Sequence, residues 1–121
     1  MRLCGSTIMM IQYNKLVRDR IPEIIERSGG MCSTRTCSKD EIMKYLVEKL
    51  KEEIAEFRQN ESVEELADIL EVCYALIEEM GNTRTEVEDI RKKKREKRGA
   101  FRKRIILIEA SDPASRRKSP K

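Results

Sequence analysis

Two acidic strings, Glu52-Glu53-x-x-Glu56 and Glu64-Glu65-x-x-Asp68, hold the residues best suited to chemistry in this chain. Both lie in strongly helical patterns, where residues three apart share a face, so each string presents a pair of carboxylates to one side. Four carboxylates aimed at one place repel one another, and a cation relieves that repulsion. The sequence contains no histidine. That removes His-activated nucleophiles, the Glu-x-x-His di-iron pattern and most zinc sites. Oxygen-only ligands favour a hard divalent cation, Mg²⁺ or alternatively Mn²⁺.

The elements that must position these acids are two helices. Ser38 followed by Glu41 is a capping box that opens a helix over 39–59, and Ser62 followed by Glu65 repeats the device for a helix reaching Met80, with Gly81 as its left-handed cap. The apolar stripe of the first is Ile42, Leu46, Leu50, Ile54 and Phe57. That of the second is Leu66, Ile69, Leu70, Cys73, Ile77 and Met80. At about 100° per residue, Glu53 and Glu56 fall to one side of the first stripe, and Glu65 and Asp68 to the same rotational side of the second. An antiparallel hairpin carries equal offsets to one flank, so the four acids are expected to converge. Glu65 has a competing use, reaching back to the Ser62 amide. Elsewhere, Pro22 suits the first turn of a short helix ending before Gly29-Gly30. A further helix is expected from Thr85, with Glu88 at its third position, to Arg98. Residues 104–109, rich in Ile, read as an extended edge segment.

Composition bounds the rest. A chain of 121 residues with five aromatics and 40% charged residues makes one domain with an aliphatic core, and a hairpin with apolar flanks gains by pairing with another subunit. Residues 1–90 hold 12 Lys/Arg against 19 Asp/Glu, net −7, whereas 91–121 hold 14 against 3, net +11. An acidic bundle followed by a basic arm suits a cation together with a polyanion. Cys4, Cys32, Cys37 and Cys73 form no C-x-x-C pair, which fits reduced thiols in the cytoplasm. No apolar run approaches the length of a membrane span. Residues 1–12 are expected to be an N-terminal extension, with Met9 or Met10 as alternative starts, 13–109 the helical domain and 110–121 a disordered basic tail.

The stretch Tyr13-Asn14-Lys15-Leu16-Val17-Arg18-Asp19-Arg20-Ile21-Pro22 resembles the opening of short MazG-like nucleotide pyrophosphohydrolases, a group often described as phosphoribosyl-ATP pyrophosphohydrolase-like. The likeness continues through Lys49-Leu50-Lys51-Glu52-Glu53-x-x-Glu56, Glu64-Glu65-Leu66-Ala67-Asp68-Ile69-Leu70-Glu71-Val72 and Lys93-Lys94-x-Glu96-x-Arg98-Gly99-x-Phe101, covering about residues 13–108. It implies an all-α bundle completed by subunit association, a homodimer or homotetramer, that cleaves a nucleoside triphosphate to monophosphate and pyrophosphate. Glu53, Glu56, Glu65 and Asp68 match that family's Mg²⁺ ligands, and Glu52 matches an acid that positions or deprotonates the attacking water. Ala100 replaces a common glycine and Lys97 a common acid, departures that bear on substrate choice more than on the chemistry.

Cations must then meet phosphate oxygens, and the candidates are Lys15, Arg18, Lys94 and Arg98. For Lys15 and Arg18 the plainer role is a solvated or ion-paired helix start, with Asp19 as a candidate partner. The expected function is Mg²⁺-dependent hydrolysis of a nucleoside triphosphate, including non-standard, house-cleaning substrates. Two alternatives stay open: the phosphoribosyl-ATP reaction of histidine biosynthesis, and a non-enzymatic helical protein gripping nucleic acid through the basic arm. The latter is weaker, because no aromatics interleave the basic residues.

Overall fold

A computed structural model of the chain describes residues 9–111. Among them are four helices and no strand: α1 (Ile21–Arg27), α2 (Lys39–Gln59), α3 (Val63–Glu79) and α4 (Arg84–Arg98). The protein is all-α. Of the expected N-terminal extension, 1–12, and basic tail, 110–121, residues 1–8 with Cys4 and residues 112–121 lie outside the described residues. No described helix is long and apolar enough to cross a membrane.

Local chemistry sets the helix bounds. Pro22 occupies the first turn of α1, where its missing N–H costs nothing. Ser38 and Glu41 form the expected capping box on α2. Ser62 accepts from the Glu65 amide at 3.3 Å, and α3 ends one residue before Met80, with Gly81 left-handed at φ 82°. The start of α4 differs from the sequence expectation. Its box is Thr83 with Glu86: the Thr83 hydroxyl accepts from the Glu86 amide at 3.1 Å and Glu86 accepts from the Thr83 amide at 2.8 Å. Two Thr-x-x-Glu spacings overlap there, and the one nearer the Gly81 turn prevails. Residues 104–110 form no strand. A β-branched run needs a neighbouring strand to satisfy its backbone, and none is found among the described residues.

The chain divides into two compact units, 1–80 and 81–121. In the first, α2 and α3 pack as an antiparallel hairpin. Among the described residues its buried apolar side chains are Leu46, 4% exposed, and Val72, 7% exposed, and a buried glutamate, Glu53, sits with them at 7%. The packed faces are therefore rotated from the expected stripes. On α2 the centre runs through Leu46 and Glu53, which lie within about 20° of each other, while Ile54, about 80° away, is exposed. On α3 it runs through Val72 and Glu65, and Leu66 and Leu70 are uncovered. Turning both helices this way draws the acids toward the seam and leaves apolar side chains on the opposite flank.

In the second unit, α4 is exposed along nearly its whole length and carries Lys94 and Arg98 on one face. Gly99, at φ 85°, ends it, and Phe101 beyond is 95% exposed, so the turn does not bury that ring. The Glu86 carboxyl is held below its usual range by the Thr83 amide and then by Asn82. A carboxyl whose pKa falls on folding stabilises above its unfolded value, about 4.3, and loses that contribution as pH drops through the lower folded value. Amide exchange in the first turn of α4, taken relative to an unstructured chain at the same pH, is therefore expected to speed up below about pH 4. Thr83→Ala should speed it at neutral pH, with a loss of about 1 kcal/mol of local helix stability.

Candidate metal centre

Glu53 comes from the middle of α2, and Glu65 and Asp68 from the first turns of α3. One carboxylate oxygen from each falls within 4.8 Å of the other two. Three oxygens sharing one hard cation stand about 3–4 Å apart, so these three need to draw together to close on a single ion. Two of these side chains are also incompletely satisfied: Glu53 Oε1 and Glu65 Oε1 are buried without a hydrogen-bond partner. Buried polar atoms ordinarily find partners, because leaving one unmade costs about 1–3 kcal/mol. A divalent cation is what an oxygen-only cluster with orphaned atoms would accept. The competing use of Glu65 does not occur, since the Ser62 cap is made by the Glu65 amide while the carboxylate belongs to the cluster.

Glu56, the expected fourth ligand, is exposed and stands outside this close group. It lies about 60° farther round α2 than Glu53, toward solvent. Desolvation, followed by the like charges of Glu53, Glu52 and Glu65, raises its pKa, so it remains on the acidic flank.

Cations already serve this flank. Lys15 Nζ donates to Glu52 at 2.6 Å, and Arg18 Nη2 donates to Asp68 at 2.7 Å. The sequence anticipated Asp19 as a partner for this pair, but both reach across to the hairpin acids instead. Lys49, singled out by no sequence argument, bridges Glu52 at 3.4 Å and Glu53 at 3.3 Å. Its spacing of three and four residues from those acids was the available signal. Burial pushes the Glu52 carboxyl up, but the Lys15 hydrogen bond and the Lys49 charge outweigh it and the net shift is downward. The Glu52 hydrogen bond in turn keeps Lys15 charged to higher pH than usual.

The structure thus brings together Glu53, Glu65 and Asp68, with Glu52, Lys15 and Arg18 around them and Glu56 on their flank. Lys94 and Arg98 belong to the second unit. Beside Lys15 and Glu52 opens a cleft of about 370 Å³ whose other walls include Asn14, Leu16, Tyr45 and Glu48.

Comparison with known proteins adds little to this geometry. An uncharacterized protein of Mycolicibacterium smegmatis (strain ATCC 700084 / mc(2)155) is 54% identical over 44 residues, 36% of this chain and 45% of that protein. The matched chain thus spans under half of that relative's length. No family model matches the chain. No solved structure matches it either.

Proposed function

We propose that the chain is a Mg²⁺-dependent nucleoside triphosphate pyrophosphohydrolase of the MazG-like kind, working in the cytoplasm as a homo-oligomer. The single observation that carries this reading is the group of three oxygens from Glu53, Glu65 and Asp68, two of whose side chains hold a buried, unpartnered oxygen. The resemblance of its motifs to that family, the free thiols of Cys32, Cys37 and Cys73 and the all-α hairpin are consistent with it.

Glu53, Glu65 and Asp68 would hold the ion, with Glu56 as an outer oxygen. A bound Mg²⁺ would neutralise the acids and withdraw charge from the phosphate oxygens. The remaining work falls to the chain's own side chains. Lys15 and Arg18 reach the acids from an irregular segment and are at least partly exposed, so an incoming triphosphate can draw them away to its own oxygens. When Lys15 moves, Glu52 loses its shortest hydrogen bond and an oxygen becomes free to accept a proton from water. Water attacks the α-phosphorus, its oxygen joins the monophosphate, and the bond to the α,β-bridging oxygen breaks as pyrophosphate leaves. Lys49 stays between Glu52 and Glu53 and keeps both acids oriented.

Phosphorus-31 NMR of a nucleoside triphosphate panel with Mg²⁺ tests the reading. Monophosphate and pyrophosphate in equal amounts are expected, whereas diphosphate with inorganic phosphate, or no turnover of any member with Mg²⁺ or Mn²⁺, would overturn it.

The second unit gives a separate expectation. Arg98→Ala should lower kcat/KM markedly, by about tenfold or more, with Lys103→Ala nearly unchanged, if Arg98 meets a phosphate and Lys103 only water. Equal modest losses that vanish at high salt would indicate diffuse steering by the basic arm. Unchanged hydrolysis with weakened nucleic-acid binding in both variants would favour a nucleic-acid grip.

A further inference from the structure

We infer that the cleft beside Lys15 and Glu52 binds the nucleoside portion of the substrate, with Tyr45 as its apolar wall and Asn14 and Glu48 as its polar contacts. The inference rests on the pyrophosphohydrolase reading and names the half of the substrate that the acids and cations leave unaddressed.

Continuity is the first argument. Lys15 and Glu52 are walls of the cleft and members of the charged cluster at once, so a phosphate chain held at the acids can pass its sugar and base straight into it. Its volume, about 370 Å³, lies at the lower end of the range for small-molecule sites, about 300–1,000 Å³. The chemistry of the walls is mixed in the manner a nucleoside requires. Leu16 and the half-buried Tyr45 ring offer apolar surface to the flat face of a base. Asn14 supplies an amide that both donates and accepts, as base edges do. Among the described residues Glu48 makes a long, exposed pair with Lys51 at 3.6 Å, which leaves it able to accept from ribose hydroxyls.

Two features show that the walls are held in place. Asn14 has a left-handed backbone, φ 47°, a conformation uncommon outside glycine and best tolerated by asparagine. The Tyr45 hydroxyl accepts from Arg35 Nη2 at 3.0 Å, and Arg35 is anchored in turn to Glu41 at 3.2 Å. Arg35 and Lys44 both approach the ring, at 5.7 and 5.9 Å from its centre, and Lys44, which is exposed and lines the cleft, is the side chain that a base would displace.

The test uses the full chain and two kinds of probe. Binding of AMP, GMP, UMP and CMP is followed by saturation-transfer NMR, with inorganic pyrophosphate as the probe lacking a nucleoside. Hydrolysis of the matching triphosphates is compared with that of inorganic tripolyphosphate in the presence of Mg²⁺. At least one monophosphate is expected to bind the wild type, and Tyr45→Ala should weaken it about tenfold while leaving pyrophosphate binding and tripolyphosphate hydrolysis unchanged. Tyr45→Phe, which keeps the ring and loses only the Arg35 hydrogen bond, should bind nearly as well as the wild type, and circular dichroism separates lost binding from lost folding. If no monophosphate binds, or if Tyr45→Ala affects both probes equally or neither, the inference falls. Monophosphate binding of the expected pattern without hydrolysis of any triphosphate would overturn the catalytic reading and leave the nucleoside cleft standing.

Discussion

Glu65→Gln is expected to abolish pyrophosphate release while making the metal-free protein more stable. Glu65 contributes one of the three closely spaced oxygens and keeps a second oxygen buried without a partner. No salt bridge reaches it among the described residues, whereas Asp68 has Arg18 and Glu53 has Lys49. Losing a side chain that merely orients a metal ligand typically lowers affinity or activity about 10–100-fold, so losing a ligand itself should cost more than about 100-fold. The stability gain has a different source. An uncompensated carboxylate held beside two others is repelled by them, and removing its charge relieves that repulsion. Thermal melts without added metal should shift upward, and the further rise that Mg²⁺ gives the wild type should disappear. Asp68→Asn should lose activity similarly but gain less stability, because it also removes the negative charge that faces Arg18. Glu56→Gln, exposed and farther from the group, should weaken cation affinity less than either. A Glu65→Gln protein with full activity would remove the central role assigned to the cluster.

The second large effect concerns assembly. Leu46 and Val72 are the buried apolar residues of the hairpin, and burying one such side chain contributes at most about 1.5–3 kcal/mol. On the flank opposite the acids, Met43, Val47 and Ile54 of α2 and Leu66 and Leu70 of α3 all remain exposed. Their rotational offsets from the packed faces share a sign, so the antiparallel hairpin gathers them into one continuous apolar surface. Association through this flank is therefore the expected outcome. Light scattering at micromolar concentration should give a dimer or larger, and a Leu66→Glu, Leu70→Glu double variant should be monomeric with much reduced helical circular dichroism. A wild-type protein that stays a well-folded monomer would refute this part.

Element bounds were legible in the sequence because caps are local. Ser38 with Glu41, and Ser62 before α3, need only their own backbone neighbours to act. The start of α4 was ambiguous for the same reason, since Thr83 with Glu86 and Thr85 with Glu88 offer identical spacing and only the turn before them decides. The packing faces were harder. A reading that sends every apolar residue inward placed Ile54, Leu66 and Leu70 at the seam and the acids beside it. The fold instead buries Glu53 between the helices, a choice that hydrophobicity alone does not announce. Lys49 received no role because it contributes to no apolar stripe, yet its ammonium offsets part of the cost of burying Glu53. Lys15 and Arg18 are legible as candidate phosphate-binding cations, but the acids they pair with lie 37 and 50 residues away, beyond any local rule. Residues 104–110 show the reverse failure, a β-branched run with no strand to pair with.

Manganese titration followed by electron paramagnetic resonance tests the cation site directly, since free Mn²⁺ gives a strong signal that binding diminishes. The wild type should take up one or two Mn²⁺ per chain, Mg²⁺ should displace them, and both Asp68→Asn and Glu65→Gln should lose that uptake while keeping their helical content. Uptake by the wild type no greater than by these two variants would contradict the assignment of Glu53, Glu65 and Asp68 as a metal centre.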